Sequence, residues 1–75
     1  MEALRQVAAE RERQEQLADA GRWGGDRIAT VDDGQRLAIL VEEIGEVGRA
    51  LQGEGDLRSE LIQVAAVAVA WAEAL

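Results

Sequence analysis

The sequence has no cysteine, histidine, lysine or proline, and its only aromatic residues are Trp23 and Trp71. Each absence removes a class of chemistry. Without cysteine there is no disulfide and no thiolate nucleophile, and without cysteine or histidine a structural zinc site has none of its usual ligands. Histidine-based triads go with them. All eight basic residues are arginine, so lysine Schiff-base and P-loop chemistry are also excluded. An enzyme of this composition works through carboxylates, with or without a metal ion. The lack of proline, beside an abundance of Ala, Leu, Val, Glu, Arg and Gln, marks an all-α chain.

Positive charge is scarce as well. Fifteen acidic residues against eight basic ones leave a net charge of −7, which argues against a partner that is a nucleic-acid polymer, because counterion release needs clustered cations. Free nucleotides stay open, since a metal ion can join acid to phosphate. The first residues are charged and form no apolar leader core, which predicts a cytoplasmic location. From Leu61 to Ala72 every residue but Gln63 is apolar, yet this run is shorter than the roughly 20 residues a membrane span requires. No membrane is expected as a partner.

Seventy-five residues allow one domain, and a chain of this size buries only about 60% of its unfolded surface. Such a chain gains most by oligomerising. The pattern predicts a single domain over 1–75 with three helices, at about 2–20, 34–52 and 56–75, and a loop at 21–33. The first helix carries only a narrow apolar stripe, and Glu10-Arg11-Glu12-Arg13 reads as a solvated face with local ion pairs. Gly21, Gly24 and Gly25 open the loop, where Ile28, Ala29 and Val31 are able to anchor it. Trp23 has two readings in this loop: a ring that stacks on a nucleobase, or a plug at the end of a small core. Asp32 or Asp33 is a good N-cap for the second helix. Gly53-Glu54-Gly55 ends that helix and makes helices two and three antiparallel neighbours.

At 100° per residue, Leu40, Val41, Ile44, Val47, Gly48 and Leu51 lie within about 80° of the Leu37 direction and read as the core stripe of the second helix. Ile39, Glu43, Glu46 and Ala50 form a second stripe on another side. Gly45 and Gly48, each costly inside a helix, suggest close helix approach near the acids. The third helix is apolar all round from Leu61 onward, so it needs cover on every side. A dimer core built from helices two and three of both chains, a four-helix-bundle-like arrangement, supplies that cover.

Glu43 and Glu46, three residues apart, send their carboxylates into one volume, and Glu60 with Gln63 repeats the spacing on the facing helix. Convergent carboxylates repel one another unless a cation joins them, and an all-oxygen set favours Mg²⁺ or Mn²⁺ over zinc. The alternative is that these are surface acids of ordinary amphipathic helices.

The stretch Glu42-Glu43-Ile44-Gly45-Glu46, followed by Glu60-Leu61-Ile62-Gln63-Val64-Ala65-Ala66, resembles the EExxE and ExxD motifs of the MazG-like, all-α nucleoside triphosphate pyrophosphohydrolases. More loosely, Glu10 to Gln14 and Trp23-Gly24 look like the first-helix segment of small members. The resemblance implies an Mg²⁺-dependent hydrolase that cuts an NTP or dNTP to the monophosphate and pyrophosphate, working as a homodimer or homotetramer. It implies Glu43, Glu46 and Glu60 as the catalytic metal ligands, with Gln63 at the fourth position, and Arg13, Gln14 and Trp23 as contacts to base or sugar. Gln63 stands where the family usually carries Asp; a carboxamide lends an oxygen without charge, which implies weaker metal holding. Two other functions remain open: a nucleotide-binding or sequestering module on the same fold, and a helical oligomerisation domain without nucleotide chemistry.

Overall fold

Asp32 opens the longest helix by a capping box. Its Oδ1 accepts from the backbone N–H of Gln35 at 2.8 Å, while the Gln35 side chain accepts from the Asp32 backbone N–H at 3.2 Å. At the other end, Gly53 N–H reaches the Ala50 carbonyl at 3.1 Å and Glu54 N–H the Arg49 carbonyl at 2.9 Å. This double closure turns the chain out of the helix, and Gly53, at φ +89°, takes the left-handed conformation it requires. Gly55 also has positive φ, +134°. Asp56 then caps the last helix, accepting from the backbone N–H of Ser59 at 2.9 Å and its hydroxyl at 2.7 Å.

The computed structural model describes residues 2–19 and 27–75. Four helices run in order: α1 (Glu2–Asp19), α2 (Arg27–Thr30), α3 (Asp33–Leu51) and α4 (Leu57–Ala74). The all-α expectation holds for these residues, and the three long helices fall close to the expected bounds. One correction concerns the loop expected at 21–33, part of which is the single turn α2. Ile28 is buried there beside Ile39, Val67 and Ala70, and Arg36 Nε donates to the Ile28 carbonyl at 2.7 Å. That bond satisfies a carbonyl that a one-turn helix leaves open. Val31 packs against the same cluster, while Ala29 is exposed.

Helix α4 is the hub, contacting α1, α2 and α3. Ala66, Val67 and Ala70 form its buried side. Near its C-terminal end, Trp71 Nε1 donates to Asp33 Oδ1 at 2.8 Å, and Arg36 Nη1 donates to the same oxygen at 2.9 Å. These two bonds hold the Asp33 carboxyl below its ordinary range, the indole contributing most. The α1–α4 seam is polar: Arg11 reaches Glu73 at 3.3 Å, Gln14 reaches Gln63 at 3.5 Å, and Arg58 reaches Gln6 at 3.0 Å.

The expected core stripe of the second helix is met only in part within the chain: Leu40 packs against the core cluster and Val47 is half-buried. Leu37, Val41, Ile44 and Leu51 are 52–70% exposed, whereas Ile39 on the acid-bearing stripe is buried. The inward face of the helix thus carries Ile39 with half-buried Leu40, Glu43, Val47 and Ala50, drawn from both stripes, against the small residues of α4. The expected role of Gly45 and Gly48 changes accordingly, since a Cβ at either would meet nothing within 4 Å. No close approach inside the chain calls for them.

Candidate functional site

Helices α1, α3 and α4 bring their acids toward Glu43. This residue is half-buried, and its carboxyl is pushed above the ordinary carboxylate range. Burial is the chief cause, followed by the charges of Glu60, Glu46, Glu42 and Glu10. Glu60 sits in the first turn of α4, half-buried like Gln63 one turn further on. Of the expected group, Glu43, Glu60 and Gln63 are half-buried on α3 and α4, whereas the Glu46 side chain is 41% exposed and turned to Arg49.

Two of the acids already have arginine partners. Glu46 pairs with Arg49 one turn along α3. Glu10 receives a two-pronged contact from Arg13, Nε to Oε1 at 2.8 Å and Nη2 to Oε2 at 2.5 Å. Arg13 is the main reason that the Glu10 carboxyl lies below its ordinary range in spite of burial, with hydrogen bonds from Gln63 and Gln14 assisting. Among the described residues, no three carboxylates stand together as a ready-made cation cage. The donor chemistry suits a hard cation all the same, since carboxylates and a carboxamide offer only oxygen.

Gln63 has a definite place. Its Oε1 accepts from Gln14 Nε2 at 3.5 Å, and its side chain lies near enough to Glu10 to help lower that carboxyl. Gln14 in turn donates to Glu10 at 3.0 Å and accepts from Arg11 at 2.9 Å. Gln63 therefore ties α4 to α1 at the edge of the acid group. An aspartate in its place would set another negative charge beside Glu10.

Beside this edge a cleft of about 330 Å³ opens between α1 and α4. Gln6, Glu10 and Arg13 line it from α1, and Arg58, Ser59 and Gln63 from α4. Of the residues expected to contact base or sugar, Arg13 lines the cleft and Gln14 adjoins it through Gln63. Trp23 lies outside the described residues.

Glu10 and Arg58 belong to this region although sequence reasoning did not assign them to it. The Glu10 side chain is only 12% exposed, which corrects its reading as part of a solvated face. A signal was present in the spacing of Gln6, Glu10 and Gln14, which places three polar groups four residues apart beside Val7 and Leu17. Arg58 is, with Arg49, the arginine nearest the acid motifs in sequence and so a candidate for holding outer phosphates, but the spacing does not place it.

The described residues form an all-helical chain in which half-buried Glu43 lies among other acids and a cleft between α1 and α4 carries two arginines. Compared with protein-family models, with curated proteins and with solved structures, the chain matches none of them. Its chemistry is therefore read from its own geometry.

Proposed function

We propose that the chain is a MazG-like nucleoside triphosphate pyrophosphohydrolase, dependent on Mg²⁺ and working in the cytoplasm as a homo-oligomer. The observation that supports this reading is Glu43 itself, half-buried, with its carboxyl pushed up first by burial and then by the charges of Glu60, Glu46, Glu42 and Glu10. Among the described residues Glu43 and Glu60 have no arginine partner, and a bound cation would take up their charge. Glu43, Glu46, Glu60 and the Gln63 carboxamide would hold the ion, which when bound polarises phosphorus and activates water. Glu46 leaves Arg49 to do so. Glu10 stays with Arg13, and the contacts of Gln14 and Gln63 keep it in place.

Assembly follows from the exposed stripe of α3. Leu37, Val41, Ile44, Gly48 and Leu51 alternate four- and three-residue spacings, which is the repeat of a helix–helix seam. A second copy of the chain is the partner best matched to such a stripe in so small a molecule.

The test is pyrophosphate release from a panel of NTPs and dNTPs with Mg²⁺. At least one nucleotide is expected to turn over, and Glu46→Ala is expected to abolish that activity; no release from any nucleotide at high enzyme concentration would overturn the proposal. The hydrogen bonding of Gln63 favours a second reading, a nucleotide-binding module with feeble catalysis. Calorimetric binding without turnover, together with activity gained in Gln63→Asp, selects it.

A further inference from the structure

We propose that the cleft between α1 and α4 seats a polyphosphate group, gripped between the guanidinium groups of Arg58 and Arg13. The identity of the whole ligand as a nucleotide rests on the function proposed above, but the anion site itself does not.

Arg58 carries the argument. Its Nε donates to Gln6 at 3.0 Å, yet among the described residues no carboxylate lies within ion-pair distance of it. Its two terminal nitrogens have no hydrogen-bond partner there. Asp56 feels the Arg58 charge only as the least of the influences on its carboxyl, and its oxygen is occupied by Ser59. Across the cleft, Arg13 spends Nε and Nη2 on Glu10 and keeps Nη1. The lining thus holds two guanidinium groups against one carboxylate, and this local positive excess stands in a chain of net charge −7.

Planar guanidinium groups match phosphate oxygens in pairs, and such charge-assisted bonds are about twice as strong as neutral ones. Two nitrogens of Arg58 and one of Arg13 have no hydrogen-bond partner among the described residues, and both side chains line the cleft. A volume of about 330 Å³ is at the lower bound for small-ligand sites and suits a short phosphate chain better than a whole nucleotide. Glu10 and Gln63 also line the cleft, and the Glu10 charge acts weakly on Glu43. A phosphate chain held between the arginines therefore lies on the α1 side of the acids, with the nucleoside outside the cleft.

The probe is inorganic tripolyphosphate, titrated calorimetrically into the full chain without metal, followed by a dNTP and its monophosphate. Tripolyphosphate and the dNTP are expected to bind, and the monophosphate more weakly. Arg58→Glu is expected to reduce tripolyphosphate affinity by about tenfold or more, the scale of one lost charge-assisted contact. Arg58 is exposed, and circular dichroism checks that the variant keeps its helices. Undiminished tripolyphosphate binding by Arg58→Glu, or no tripolyphosphate binding by the unaltered chain, overturns the proposal. Arg58-dependent binding in the metal-free titration, with no hydrolysis of any nucleotide once Mg²⁺ is added, supports the anion site while removing the enzyme reading. Hydrolysis with an unchanged KM in Arg58→Glu does the reverse.

Discussion

At Glu43, burial and four neighbouring acids act in the same direction. Because the folded-state pKa is raised, the folded chain binds more protons than the unfolded one across the window above the ordinary carboxylate value. Stability contributed by this group is therefore lost as pH rises through that window. Glu43→Gln is expected to raise the melting temperature at pH 7 and to lose this advantage below the ordinary carboxylate pKa, read by thermal melts across pH. A lower melting temperature at pH 7 would show that Glu43 is not under electrostatic strain. The four polar positions of α3 and α4 were legible because their spacing is local, three residues along one helix. Glu10 was not, since its place depends on how α1 docks, and an acid among alternating arginines looks the same whether the helix turns it to water or to Gln63.

The helix ends follow their local chemistry closely. Asp32 and Asp56 cap where short acids precede apolar runs, and Gly53 supplies the left-handed residue after α3. Asp32→Ala removes the acceptor for Gln35 N–H and is expected to cost about 1 kcal/mol, measured by urea unfolding. An unchanged midpoint would mean that the capping box does not hold in solution. Helix α2 escaped the same reasoning because its stability is tertiary. A four-residue turn has almost no propensity of its own, and it forms here around one buried isoleucine and one arginine bond from α3. The two faces of α3 were also separable in sequence, but their order was not. Periodicity distinguishes stripes without saying which neighbour each one meets, and the inner neighbour proved to be the alanine-rich side of α4.

Across the whole molecule, apolar surface is only partly put away. Among the described residues the buried hydrophobics are Ile28, Ile39, Ala66, Val67 and Ala70, while Leu37, Val41, Ile44, Leu51 and Leu61 remain at least half open. None of the described helices is long and apolar enough to cross a membrane. If copies of the chain meet along the α3 stripe, Ile44→Glu puts a charge into that seam and is expected to shift the sedimenting species to the monomer. The helix itself tolerates the change, since Glu is a good helix former. A monomer in the unaltered chain would remove the assembly proposal and leave the acid group around Glu43 to act alone.

The bond from the Trp71 indole to Asp33 also gives the molecule an optical signal of its own. An indole whose N–H rests on a carboxylate emits according to that charge and its hydration, and here the carboxylate also receives Arg36, whose Nε reaches α2. In a Trp23→Phe chain, Trp71 is the sole fluorophore. Its emission then reports the junction of α2, α3 and α4 separately from the helical content seen by circular dichroism, so loosening of that junction and melting of the helices become two distinguishable events.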